Sequence, residues 1–237
     1  MRRLVVWRHG RTAWNAEHRF QGQTDIPLDP EGHAQARRSA AMLAALPPDV
    51  IVCSDLQRAQ ETAQPLSELT GLAVNLDPAL RETAAGEWEG KTRPELLAEY
   101  GDGLARWAVD ANMHAGVTGE TRVEVADRTT AAIERGLART PAGGVLVVVT
   151  HGGSARAAIG RLLGLPPEHW AALGVLTNCS WTVLIENDRS AWRVAAEADT
   201  PSRSATWPAP PWRLQEYNAG SLPEPVPVDG VWPADDR

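Results

Sequence analysis

Two short apolar runs, residues 4–7 (LVVW) and 145–149 (VLVVV), each end within two positions in a histidine followed by glycine, as RHG at 8–10 and THGG at 150–153. Runs of this length, rich in β-branched residues, have the pattern of strands buried on both faces, and the glycine lets the chain turn sharply afterwards. Two strands that each carry a histidine to their C-terminal end constrain the fold strongly, because in an open parallel sheet that edge is where ligands bind. Between and around them, apolar runs alternate with helical patterns as in βαβ units.

Residues 50–53 and 72–76 read as further strands. Ala36, Ala40, Leu43 and Leu46 form one helical face, Leu56, Ala59, Ala63 and Leu66 a second, and Val123, Ala126, Ile133 and Leu137 a third. Asp29-Pro30 is expected to start the first helix, Ser54-Asp55 to cap the second, and a capping box from Thr121 to Glu124 to start the third. Pro65 should kink or loosen the second helix, and Gly71 should close it. Short helices over 94–100 and 104–109 belong to a helical cap insertion at about 83–119. A helix over 154–163 follows the second histidine, and its free N–H groups favour an anion beside Gly152.

Residues 181–186 and 192–196 read as a closing hairpin around 187–190. From residue 200 the chain is rich in proline and tryptophan, which suggests an irregular tail laid over the domain through Trp207, Trp212 and Tyr217, its last dozen residues disordered. The expected organisation is one α/β domain over 1–200 and a tail over 201–237.

The net charge of −7 argues against nucleic acid as a partner and requires a local positive pocket for any anionic substrate. Two cysteines are too few for a disulfide framework and lack metal-ligand spacing. With no long apolar stretch, the expectation is a soluble cytoplasmic protein without membrane contact.

The chemistry follows from residue types. Arg8 and Arg11 flank His9, and cations close to an imidazole keep it neutral and nucleophilic. Arginine forks match phosphate oxygens in geometry. Asn15 and Gln21 lie in the loop after the first strand, Arg58 in the first turn of the second helix, and Glu82 in an aperiodic stretch rich in glycine. Gathered at one rim with His151, these groups suit phosphoryl transfer. His9 would attack phosphorus; Arg8, Arg58 and His151 would stabilise the equatorial oxygens; Glu82 would protonate the leaving alkoxide. No metal or cofactor is expected, since arginines take the role of a cation.

RHGRTAWN at 8–15, SDLQRAQETA at 54–63, LRET at 80–83 and THGG at 150–153 resemble, in order, the motifs of the histidine phosphatase superfamily. The resemblance implies a three-layer α/β/α sandwich with a mainly parallel central sheet and a covalent phosphohistidine. It implies the roles given above for Arg8, His9, Arg58, Glu82 and His151, with Asn15, Gln21 and Gly152 completing the phosphate pocket. Thr12 and Thr83 stand where mutases of the superfamily carry serine and a basic residue, which favours a phosphatase. FQGQTD at 20–25, GETRVEVADR at 119–128, NCSWT at 178–182 and WRLQEYNA at 212–219 are similar to the subgroup acting on glucosyl-3-phosphoglycerate. That implies a small phosphorylated metabolite as substrate and a homodimer. Two alternatives stay open: a cofactor-dependent phosphoglycerate mutase, with Lys91, Arg93 and Arg106 retaining a bisphosphate, and a non-catalytic phospho-ligand binder.

Overall fold

The computed structural model describes residues 1–187 and 211–220. Six strands form its sheet: β1 (Arg3–Arg8), β2 (Val50–Cys53), β3 (Val74–Leu76), β4 (Val145–Thr150), β5 (Trp181–Glu186) and β6 (Trp212–Ala219), in the spatial order β3-β2-β4-β1-β5-β6. The first four run parallel, while β5 and β6 are antiparallel additions at one side. The mainly parallel α/β architecture expected from the sequence is thus observed.

Strand alternation builds the layers. Val5 and Trp7 of β1, with Val145, Val147 and Val149 of β4, pack on Ala36, Ala40 and Leu43 of α2 (Pro30–Ala44) and Ala59, Ala63 and Leu66 of α3 (Gln57–Thr70). Leu4 and Val6, with Leu146 and Val148, face the other way onto Ile133 and Leu137 of α6 (Arg122–Ala138) and Ala155 and Ile159 of α7 (Gly152–Leu162). Residues 4–7 are wholly inaccessible, so the central strands read as continuous apolar runs because both faces are covered.

Between β3 and α6 the chain leaves the sandwich and makes α4 (Arg93–Tyr100) and α5 (Gly103–Val109). Ala85, Trp88, Leu96, Leu104 and Ala115 form a separate small core there, joined by Phe20 from the loop after β1. Trp88 meets Phe20 and Trp107 edge-on at 5.6 and 5.4 Å between ring centroids, the arrangement that ring quadrupoles favour. Phe20 therefore ties the loop after β1 to the insertion.

Asp29 caps α2 through Gly32 N–H, Thr121 and Glu124 form the capping box of α6, and Gly71 closes α3 at φ 72°. Two expectations need correction, that for Ser54 and that for the stretch around Trp212. Ser54 does not cap α3, which begins after an extended Leu56 with no side-chain cap; the Ser54 hydroxyl is 2.8 Å from His151 Nε2 instead. α3 holds Pro65 in its interior and continues to Thr70, with Ala63 and Leu66 buried against the sheet. β5, the first half of the expected hairpin, pairs with β1 on one edge and with β6 on the other. Residues 192–196, Trp207 and the chain after 220 lie outside the described residues. The stretch read as irregular around Trp212 and Tyr217 is instead an edge strand, masked in the sequence because Trp212 is its single buried side chain.

Candidate active site

The β1–β4 register places Arg8 opposite Thr150, so the next residues of both strands emerge side by side. His9 N–H donates to Thr150 O at 3.0 Å, and the His9 and His151 rings lie 5.1 Å apart between centroids. The repeated strand–histidine–glycine pattern becomes one site because its two strands are neighbours.

His9 Nδ1 lies 2.7 Å from Gly10 O. A carbonyl only accepts, so Nδ1 carries the proton and Nε2 keeps its lone pair. Nε2 has no hydrogen-bond partner among the described residues. Burial, and then the charges of Arg58 and Arg8, hold the His9 pKa well below 6.5. The ring is buried, neutral and oriented. Arg11, the expected second flank, is absent from these causes: its Nε donates to Asp29 at 2.7 Å, away from the imidazole. The second cation comes from Arg58, distant in sequence.

Arg58 is fully inaccessible. Its Nη1 and Nη2 donate to Thr24 O and Gly22 O at 2.9 and 2.8 Å, and Nε donates to His151 Nδ1 at 3.2 Å. Burial lowers its pKa to about 10, so it stays charged at neutral pH. With Nδ1 of His151 accepting, its Nε2 carries the proton and donates to Ser54 Oγ. Burial and Arg58 hold the His151 pKa well below 6.5 as well. Arg8 Nη1 donates to Leu176 O at 2.6 Å, in the loop before β5. That loop also holds His9 O, which accepts from Cys179 N–H at 3.1 Å and Asn178 Nδ2 at 3.2 Å. It is anchored in turn by Asn218 at the end of β6, whose Oδ1 accepts from Thr177 N–H and Ser180 Oγ at 2.8 and 2.6 Å.

The free N–H groups at the start of α7, expected to favour a bound anion, are taken by a side chain of the protein. Glu82 Oε1 accepts from Thr83 N–H at 2.8 Å and Ser154 N–H at 3.0 Å, and Oε2 from Gly153 N–H at 2.9 Å. A Cβ at Gly153 would fall 2.6 Å from Glu82 Oε1, so glycine there permits the carboxylate's approach. Arg128 Nη2 further fixes the Glu82 carbonyl at 2.9 Å.

Arg8, His9, Gln21, Arg58, Glu82 and Gly152 line a common pocket, together with His18, Arg19, Phe20, Gly22, Thr83, Trp107, Gly153, Arg156 and Val175. Gln21 Oε1 accepts from Thr12 Oγ1 at 3.0 Å. Asn15 sits behind this lining: its Oδ1 accepts from Thr12 N–H and Asn178 Nδ2, both at 3.1 Å. His151 also stands behind, reaching the pocket through Arg58. The sequence reading missed Arg156, Phe20 and Trp107. Arg156 was legible as the position that shares a helical face with Gly152 and Gly153; the aromatics come from the insertion's packing, which leaves no local signal. No group of three or more His, Cys, Asp or Glu among the described residues is placed to hold a metal ion.

A mainly parallel sheet thus brings one histidine, two buried arginines and a glutamate to one pocket, with a second histidine behind it. Residues 4–200 match the Histidine phosphatase superfamily (branch 1), and the chain belongs to that superfamily. The expected enzyme class, a phosphatase of this superfamily, is borne out. The chain is 39% identical over 227 residues to a glucosyl-3-phosphoglycerate phosphatase of Mycolicibacterium vanbaalenii, covering 93% of this chain and 96% of the relative. It is 35% identical to a probable phosphoglycerate mutase of Enterobacter, over 81% of this chain and 88% of that one. A mycobacterial glucosyl-3-phosphoglycerate phosphatase solved with VO3 superimposes with a TM-score of 0.80 at 38% identity, covering 92% of this chain and 100% of that one.

Proposed function

We propose that the chain is a metal-independent phosphomonoester hydrolase working through a phosphohistidine on His9, with glucosyl-3-phosphoglycerate or a related small phosphorylated metabolite as substrate. The observation that carries this reading is the His9 tautomer: Nδ1–H is committed to Gly10 O, which leaves Nε2 as a lone pair beside two arginines. A ring so fixed is a nucleophile held ready for phosphorus.

Nε2 attacks phosphorus while the bond to the ester oxygen breaks, and Glu82, entering this step as the carboxylic acid, gives its proton to the departing alkoxide and is left as the carboxylate. Glu82 Oε1 accepts from two backbone N–H groups and Oε2 from one, so Oε2 has the spare lone pair that carries the proton. Water then attacks the phosphohistidine, the P–N bond breaks, and Glu82 takes the water's proton. Arg8 and Arg58, both buried, balance charge on the equatorial oxygens, where fixed donors act strongly. An incoming phosphate dianion would also favour a proton on His151 Nδ1 and turn that nitrogen from acceptor to donor.

Support for hydrolysis over phosphoryl return comes from the insertion. Lys91, Arg93 and Arg106, the cations expected to retain a bisphosphate, do not line the pocket. Lys91 pairs with Glu99 and Tyr100, and Arg106 with Asp102 at the surface.

The test is phosphate release, with and without a chelator, from glucosyl-3-phosphoglycerate, 3-phosphoglycerate, phosphoserine, sugar phosphates and p-nitrophenyl phosphate. The reading predicts chelator-resistant hydrolysis with the highest kcat/KM for the glucosylated compound. In the same assay, Glu82→Gln should lose roughly 100-fold or more on alkyl esters and much less on the aryl ester, whose leaving group needs little protonation. Release abolished by the chelator, or equal losses on both ester types, would contradict it.

A further inference from the structure

We infer that Arg156 is the receptor for a carboxylate on the substrate, so that the pocket selects phosphomonoesters bearing a second anion close to the ester oxygen. This rests on the phosphatase reading above and adds to it the substrate feature that the far side of the pocket recognises.

The pocket is lined by four arginines, and three are already occupied. Arg8 donates to Leu176 O, Arg58 to Gly22 O, Thr24 O and His151, and Arg19 to Gly90 O and Glu17. Arg156 makes no hydrogen bond or ion pair among the described residues. Two acids act on it through space: first Tyr217, whose hydroxyl donates to Gly174 O and whose burial raises its pKa to about 12, so that it carries no charge at neutral pH, and then Glu82, whose oxygens are already taken up by backbone N–H groups at the start of α7.

A partly buried guanidinium without a counter-charge is costly, and its desolvation is offset once an anion is bound. Arg122 raises that cost. It is buried behind Trp107, its guanidinium 4.0 Å from that ring's centroid, and it and Arg156 repel each other through space. This end of the pocket is positive beyond what one phosphate needs.

Spacing selects the kind of anion. Arg156 lies one helical turn beyond Gly152 and Gly153 on the same face of α7, a rise of about 5 Å. A Cβ at Gly152 would fall 3.4 Å from Arg8 Nε, so this face of α7 also borders the arginine that meets the phosphoryl group, and an anion held by Arg156 is one carried close to the ester. A guanidinium fork takes a carboxylate by two parallel hydrogen bonds, while Phe20 and Trp107 offer the rest of the ligand an apolar wall.

The experiment compares kcat/KM for 2- and 3-phosphoglycerate with the matched glycerol phosphates, which lack the carboxylate, and with p-nitrophenyl phosphate. Wild type, Arg156→Met and Arg156→Lys are assayed, with Tm as the check on folding. The inference predicts that wild type prefers the carboxylate esters. It predicts that Arg156→Met reduces the ratio of carboxylate to glycerol ester by about 10- to 100-fold, chiefly through KM. Arg156→Lys should retain part of the preference, since charge survives and the fork does not. A ratio unchanged in Arg156→Met, or equal losses on both esters, would overturn the carboxylate role and leave the phosphatase reading standing. A folded wild type that hydrolyses none of these esters would overturn both.

Discussion

His9 and His151 occupy equivalent places, each directly after a buried strand and before a glycine, yet they are wired in opposite ways. His9 spends Nδ1–H on its neighbour's carbonyl, and among the described residues its Nε2 is unbonded. His151 has both nitrogens engaged, donating to Ser54 and accepting from Arg58. Local sequence therefore sets where a histidine emerges, while long-range partners decide what it can do. In the proposed mechanism one ring is the nucleophile; the other is a support whose rotation is prevented by groups from a neighbouring strand end and helix.

The largest effect should come from exchanging these roles by deletion. His9→Ala is expected to lower kcat on p-nitrophenyl phosphate by on the order of 10⁴-fold or more, because no other group replaces a lost nucleophile. His151→Ala should cost roughly 100-fold, since Arg58 and Arg8 still face the phosphate. Equal losses would erase the distinction.

A smaller effect isolates the wiring. Ser54→Ala removes the acceptor for His151 Nε2–H and should reduce kcat by about tenfold with little change in KM, the cost of one buried hydrogen bond left unmade. A KM effect without a kcat effect would place Ser54 in binding instead.

The smallest is a pH signature that the two rings share. Both have folded-state pKa values well below the 6.5 of an unfolded histidine. Between the folded pKa and 6.5 the unfolded chain binds more protons, so stability is complete above 6.5 and falls as pH drops through that window. Tm should decline on acidification below 6.5, each kcal/mol appearing as about 2–4 °C. His9→Asn and His151→Asn should each flatten that decline; a Tm that rises on acidification would contradict buried neutral rings.

Much of this was legible in sequence because it is local. The strand–histidine–glycine repeats, Asp29 at the start of α2 and the capping box at Thr121 depend on neighbouring residues, and the structure keeps them. What misled was long-range. Arg11 is adjacent to His9 in the motif but turns to Asp29, and Arg58 supplies the charge instead. Ser54 has the composition of a helix cap but faces His151 across the β2–β4 edge. β6 has too few buried side chains to show a strand pattern, and its pairing is set by the open edge of β5. Glu82 was read as the candidate acid, but not as the carboxyl group that occupies the start of α7, because only the fold brings Gly153 and Ser154 beneath it.

The most direct test of the different roles of the two histidines is to quench the enzyme in base during turnover of p-nitrophenyl phosphate and locate the bound phosphate by mass spectrometry. The account predicts an acid-labile, base-stable phosphoryl group on His9, present in wild type and His151→Ala and absent in His9→Ala. Phosphate found on His151, or turnover with no phosphohistidine at any stage, would contradict it.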